Sequence, residues 1–153
     1  MTDAAASDES LPSLDDMLCF AVYAAGFAFN RVYRKLLGRL GLTYPQFLVL
    51  VALWGEDAVA VGDLGEKLAL DTSTLTPLLK RLEGMGLLKR RRAKEDERRV
   101  IVSLSEKGSA MRSEAGEIMR CVFAAADMEP DAFVKLKRDI QTLRRNLERA
   151  ARV

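Results

Sequence analysis

Apolar residues recur at helical spacing along most of the chain. The first run extends from Leu14 to about Leu40, with a weak point at Gly26. It opens on Ser13-Leu-Asp-Asp, an S-x-x-D start with acids in the first turn to complement the helix dipole. Gly41 ends it as a C-cap glycine does. Thr43-Tyr44-Pro45-Gln46 starts a second helix, with Thr43 as cap and proline in a tolerated first-turn position, running through Phe47, Leu50, Val51 and Trp54 to Gly55. Two short helical patterns follow, Val61 to Leu70 and about Ser73 to Met85, joined by the polar pair Asp71-Thr72 and stopped by Gly86. Two short helices across a tight joint form a helix-turn-helix. Leu87 to Arg91 and Arg99 to Leu104 read as strands, and the polar run Arg92 to Arg98 as their loop. Ser105-Glu-Lys-Gly108 opens a further helix that continues past Cys121 to about Ala126. Glu129-Pro130-Asp131 breaks the pattern. A last helix from Phe133 to about Arg149 then places Phe133, Leu136, Ile140, Leu143 and Leu147 three and four apart.

This order predicts a mainly α fold with a small β-hairpin, a winged helix-turn-helix flanked by terminal helices. Residues 1–12 are expected to be a disordered tail and 13–153 a single unit. Within that unit, 43–104 form the winged helix-turn-helix, while 13–42 and 105–153 form dimerisation helices. The terminal helices are apolar enough to pack against a second copy, so a homodimer is expected.

Composition narrows the function. A chain of 153 residues buries a real core in one domain. No apolar run reaches the roughly 18 residues that span a bilayer, so no membrane partner is expected. The opening MTDAAASDESLP lacks the basic and apolar regions of a signal peptide, which points to the cytoplasm. There is no histidine, so histidine-based catalysis is excluded. The two cysteines, Cys19 and Cys121, make neither a disulfide scaffold nor a CxxC spacing, so neither a metal nor a cofactor is expected.

A net charge of +2 hides an asymmetry. Met1 to Asn30 carries five acids and no base. Lys80 to Arg99 carries nine bases (Lys80, Arg81, Lys89, Arg90, Arg91, Arg92, Lys94, Arg98, Arg99) against four acids. Such an excess suits a polyanion, although charge alone leaves a merely solvated hairpin open. The helix-turn-helix favours double-stranded operator DNA. Leu75, Leu78, Leu79 and Leu82 should face the core from the recognition helix. Thr72, Ser73, Thr74 and Thr76 cluster at its N-terminal end, which enters the major groove, and some of these hydroxyls can serve as caps instead. Lys80 and Arg81 are placed to reach flanking phosphates. Arg98 and Arg99 at the hairpin tip are candidates for a minor groove. Arg91 and Lys89 suit phosphate steering. Asp96 is expected to pair with an arginine and shape the tip.

The stretch Leu18-Cys-Phe-Ala-Val-Tyr23 raises a second question. By the helical pattern Cys19 lies about six residues inside its helix, with Asp15 and Asp16 one turn back, and local physics favours a buried structural cysteine. The three tyrosines bear on this. Tyr23 is at i+4 from Cys19, on the same face. Tyr33, fourteen residues on, would lie roughly 21 Å away in one continuous helix. It and Tyr44 can therefore reach a cysteine only across a dimer. A phenol donates a hydrogen bond that stabilises a thiolate, but tyrosines are also ordinary interface residues.

The string VGDLGEKLALDTSTLTPLLKRLEGMGLLKRRRAKEDERRVIVSL, Val61 to Leu104, resembles the core of MarR-type transcriptional regulators, with Asp96-Glu97-Arg98 meeting the D-x-R element of their wing. LCFAVYAA, GLTYPQFLVLVALW and LDTSTLTPLLKRLE resemble one branch more closely, the organic hydroperoxide resistance repressors. The resemblance is strong from Leu14 to about Leu104 and weak over the last two helices. It implies a repressor, not an enzyme, in which an organic hydroperoxide oxidises Cys19 to sulfenic acid and the operator is released. Tyr23, Tyr33 and Tyr44 would surround Cys19 across the dimer, and Leu18, Phe20, Val22 and Phe47 would favour organic over hydrogen peroxide. In some members a late-helix cysteine resolves the sulfenic acid, which makes Cys121 a resolving candidate or else a packed helix residue. The alternatives are a regulator controlled by a bound phenolic effector, a thiol peroxidase, and an architectural DNA-binding protein without a sensor.

Overall fold

The structure is a computed structural model that describes residues 12–152. The expected tail lies outside them except for Pro12. Seven α-helices and three strands are present among the described residues: α1 (Leu18–Leu37), α2 (Tyr44–Gly55), β1 (Val59–Ala60), α3 (Val61–Leu68), α4 (Thr72–Gly84), β2 (Leu88–Arg92), β3 (Val100–Leu104), α5 (Glu106–Ala110), α6 (Arg112–Ala126) and α7 (Pro130–Ala150). This is the expected winged helix-turn-helix between terminal helices.

The long first helix is shorter than its apolar pattern. Leu14–Asp16 forms a separate 3-10 turn, and Met17 is extended before α1 begins at Leu18. The cause is local. The Ser13 hydroxyl accepts from the Asp15 amide at 3.3 Å, and the Asp16 amide bonds the Ser13 carbonyl at 3.1 Å. The S-x-x-D signal thus closes its own turn instead of capping the long helix. At the other end Gly38–Leu40 tightens to a 3-10 turn, and Gly41 at φ 66° supplies the left-handed exit. Gly26 does not break α1. At α2 Thr43 and Gln46 form a reciprocal capping box with Pro45 in the first turn.

Val59–Ala60 adds a strand that two residues of pattern cannot reveal. The sheet order is β1-β3-β2, all antiparallel, with Val102 paired to both Val59 and Arg90. The predicted single helix after Ser105 is divided at Met111, because α5 is pinned against the wing's base before α6 sets its own direction. α7 starts at Pro130, whose fixed φ suits a first helical position, and not at Phe133.

The core lies where α2, α3, α4 and the sheet meet. Phe47, Leu50, Leu53, Leu64, Leu75, Leu79, Leu82, Leu87, Leu88 and Val102 are essentially sealed from solvent. Leu78 is only half-buried, beside its fully buried neighbour Leu79. Tyr33 and Leu37 from α1, with Ile118 and Val122 from α6, join the same core. The DNA-reading unit, α1 and α6 are therefore one packed body, and truncating a sealed side chain such as Phe47 would cost about 3–5 kcal/mol.

Outside this core the terminal helices expose apolar residues. α7 buries none of its residues and exposes Val134, Leu136, Ile140 and Leu147. α1 exposes Leu18, Val22, Tyr23, Phe27 and Phe29.

Candidate functional site

Asp71 caps the recognition helix α4. Its Oδ1 accepts from the Thr74 amide at 2.7 Å and the Ser73 hydroxyl at 2.6 Å. These bonds, the Ser73 hydroxyl foremost, hold the Asp71 carboxyl below the usual aspartate range. Capping thus falls to Asp71, which leaves Thr72, Ser73, Thr74 and Thr76 exposed along the first turns. The Thr76 hydroxyl donates back to the Thr72 carbonyl at 2.8 Å, which fixes its rotamer. Lys80 and Arg81 are exposed, and among the described residues neither forms an ion pair.

The wing is tied to this helix from below. Glu83 near the end of α4 accepts from the Arg90 amide at 3.0 Å and from its guanidinium at 3.1 and 2.7 Å. The Arg90 bonds lower the Glu83 carboxyl below its ordinary value. Of the basic residues of β2, Arg90 is therefore a clamp, whereas Lys89 and Arg91 are exposed.

Asp96 shapes the tip by a different route from the one expected. Its carboxylate accepts from the backbone amide of Arg98 at 3.0 Å, not from a guanidinium, and its carbonyl accepts from the Arg99 amide at 2.9 Å. The guanidinium pair is instead Arg99 with Asp63 of α3, at 3.1 Å. Asp63 is 36 positions from Arg99, and sequence spacing carries no signal for it. Arg98 remains exposed and without an ion pair among the described residues. A cleft of about 430 Å³ opens between α3, α4 and the wing, lined in part by Thr72, Thr76, Arg98 and Arg99. Thr72 and Thr76 of the helix and Arg98 and Arg99 of the wing thus share one concavity, whose arginines outnumber the lining Asp63 and suit a phosphate backbone, while Ser73 and Thr74 lie outside it.

Cys19 and Cys121 are both free and exposed. Because α1 starts at Leu18, Cys19 is its second residue, not six residues in. There the backbone amides lack helix partners. Tyr23 follows one turn on, exposed, with its ring 6.4 Å from Phe20 and 4.7 Å from Phe27. α1 is unbroken from Leu18 to Leu37, so Tyr33 stands at the opposite end from its own Cys19. Tyr33 is only 6% exposed, stacks on Tyr44 at 4.2 Å and rests against Phe47 at 5.9 Å. Its hydroxyl donates to the Met119 sulfur at 3.7 Å. Burial, then the neighbouring Tyr44, pushes the Tyr33 phenol up to about 12, and burial also raises Tyr44. Both remain proton donors at neutral pH. Within one chain Leu18, Phe20 and Val22 flank Cys19, while Phe47 belongs to the Tyr33–Tyr44 cluster. Cys121 lies on α6 two residues beyond Met119, which sequence reasoning had not singled out.

A winged helix-turn-helix with a basic wing and a capped recognition helix defines a DNA-binding transcriptional regulator. The chain belongs to the SarA/Rot family of transcriptional regulators, a MarR-like group, whose profile matches residues 31–114. It is 44% identical over 139 residues to the HTH-type transcriptional regulator TtmR of Methylorubrum extorquens (strain PA1), covering 91% of this chain and 71% of that protein. It is 39% identical over 130 residues to the organic hydroperoxide resistance transcriptional regulator of Bacillus subtilis (strain 168), covering 85% and 88%. Among solved structures it resembles reduced AbfR bound to DNA, with a TM-score of 0.74 and 32% identity over 89% of this chain and 93% of that one. The family and these relatives are DNA-binding regulators and not enzymes, which sets aside the thiol peroxidase. No single described helix is long and apolar enough to cross a membrane.

Proposed function

We propose that this regulator is a homodimeric, cytoplasmic repressor that releases its operator when an organic hydroperoxide oxidises Cys19. The observation that carries the reading is the place of Cys19, a free and exposed thiol in the first turn of α1, in a chain similar to an organic hydroperoxide resistance regulator. The sulfur attacks the distal peroxide oxygen, the O–O bond breaks, and sulfenic acid and an alcohol result. AbfR, whose known forms include a reduced, an overoxidised and a disulfide state, supports a redox reading.

The dimer is supported by the exposed apolar residues of α1 and α7, such as Val22, Phe27, Leu136 and Ile140, which the described residues of one chain leave uncovered. Residues 13–42 and 105–153 make this interface, and 43–104 read the DNA through Thr72, Ser73, Thr74, Thr76, Lys80, Arg81, Arg91, Arg98 and Arg99. In an antiparallel pair Tyr33 and Tyr44 of one protomer face Cys19 of its partner, and the phenol of Tyr33, protonated at any physiological pH, turns its one hydrogen bond from Met119 to that sulfur. Cys121 condenses with the sulfenic acid, forming a disulfide and releasing water. Such a bond needs the two Cα atoms within about 7 Å and so pulls α6 toward the partner's α1.

Mass spectrometry of both thiols, with non-reducing electrophoresis, tests this. Cumene hydroperoxide should oxidise Cys19 first and then give a covalent dimer that is lost in Cys121→Ser. An unmodified Cys19 at full operator release contradicts the reading. A second reading is a bound phenolic effector. A groove of about 460 Å³ between α2 and α6, lined by Val51, Trp54, Arg112 and Met119, favours it. Ligand-induced thermal stabilisation together with indifference to peroxide would select that reading.

A further inference from the structure

The chain returns from the wing to α5 through a knot of hydrogen bonds. The Ser105 amide donates to the Leu87 carbonyl at 3.0 Å, and its hydroxyl donates to the Gly86 carbonyl at 2.6 Å. That hydroxyl also accepts from the Gly108 amide at 3.0 Å, capping α5. Lys107 Nζ donates to the Met85 carbonyl at 2.9 Å. From α2, the indole N–H of Trp54 donates to the Gly108 carbonyl at 2.9 Å. A Cβ on Gly108 would stand 1.9 Å from the Leu87 carbonyl oxygen, so only glycine lets α5 approach this closely.

Met85, Gly86 and Leu87 are the exit of the recognition helix. The last carbonyls of a helix lack intrahelical partners and are commonly met by water or by the helix's own continuation. The last carbonyls of α4 itself, Arg81, Leu82 and Glu83, are met by the Met85, Leu87 and Gly86 amides, and the three successive carbonyls that follow the helix, Met85 to Leu87, are met by Lys107 of α5 and by its cap Ser105. α5 continues through Met111 into α6, which carries Met119 and Cys121. We infer that Ser105, Lys107 and Gly108 are positioning residues that form a joint between α6 and the recognition helix, so that a displacement of α6 turns α4. Bonds of 2.6–3.0 Å are lost when α5 slides by one to two ångströms, so α5 cannot shift without either breaking them or carrying the exit of α4 along. Trp54 closes the joint on its other side and ties it to the rigid α2. The oxidative trigger rests on the proposed function, but the joint itself would serve any effector that moves α6.

Coupling between two sites is reciprocal, so operator binding must also act on the joint. Trp54 is the sole tryptophan and reports on it. Its emission should shift on titration with operator DNA in the wild type and in Lys107→Arg. The shift should fall by more than half in Lys107→Met, while operator affinity of the reduced protein stays within about threefold and the hydroperoxide-induced loss of affinity drops from about tenfold or more to under threefold. Ser105→Ala, which deletes the bond to Gly86, should repeat the pattern. A full emission shift with full release in both variants overturns the joint, as does a loss of reduced-state affinity that Lys107→Arg does not rescue. A wild type that ignores hydroperoxide but shows a Lys107-dependent emission shift would sink the sensing reading and leave the joint standing.

Discussion

The two ends of this regulator are built to different degrees of completeness. On the DNA-reading side the supporting polar groups find partners within the chain: Asp71 caps α4, Glu83 holds Arg90, Asp63 holds Arg99, and Asp96 folds the wing tip. On the terminal helices the reverse holds. α7 buries nothing, α1 exposes a row of large apolar residues, and Cys19 lies an α-helix away from the buried Tyr33 and the half-buried Tyr44. One protomer suffices to shape the surface proposed to contact DNA, whereas the proposed thiol site would be completed by a second copy.

The strongest blow to that contrast is aimed at α7. Replacing both Leu136 and Ile140 by aspartate should yield a folded monomer, because neither side chain belongs to the core, and operator affinity should fall by about 100-fold or more as the second half-site contact is lost. Analytical ultracentrifugation and anisotropy check it; a persistent dimer contradicts the assignment. A smaller loss is expected inside the DNA-reading half. Arg98→Ala should cost about 1–3 kcal/mol of operator binding and lower the salt slope by about one. Arg99→Ala should lower affinity less, since its guanidinium is already engaged by Asp63. Equal losses would show that the two arginines are not differentiated.

The smallest effects concern pH. The Tyr33 phenol is raised in the folded chain, so the unfolded chain ionises first once pH passes 10.0. Stability should therefore fall as pH rises from there toward about 12, and Tyr33→Phe should lessen that fall in chemical denaturation, leaving the part due to the raised Tyr44. Asp71 runs the other way. Its lowered value adds stability above the ordinary 3.8, and that stability is lost as acid protonates the cap, so Asp71→Ala should flatten the acid limb.

Much of this was legible in the sequence. The period of the apolar residues marks every long helix, and Thr43-Tyr-Pro-Gln is a cap whose parts lie within four residues of each other. The signals that fail are either ambiguous or long-range. Ser13-Leu-Asp-Asp reads as the cap of a long helix, but it satisfies its own 3-10 turn, and this moves Cys19 to the helix start. Asp63 with Arg99, Ser105 with Gly86 and Trp54 with Gly108 join residues far apart in the chain, and local spacing holds no trace of them. The separation of Tyr33 from Cys19 was visible, since it requires only a continuous helix. That Tyr33 is a buried donor, stacked on Tyr44, required the fold.

Cys19 is the centre of the proposed switch. Its most direct test is operator binding by fluorescence anisotropy, before and after one equivalent of cumene hydroperoxide and again after dithiothreitol, for the wild type and for Cys19→Ser. The wild type should release DNA and rebind it on reduction, and Cys19→Ser should bind before and after with unchanged affinity. Release of the operator by oxidised Cys19→Ser to the same extent as the wild type would contradict it.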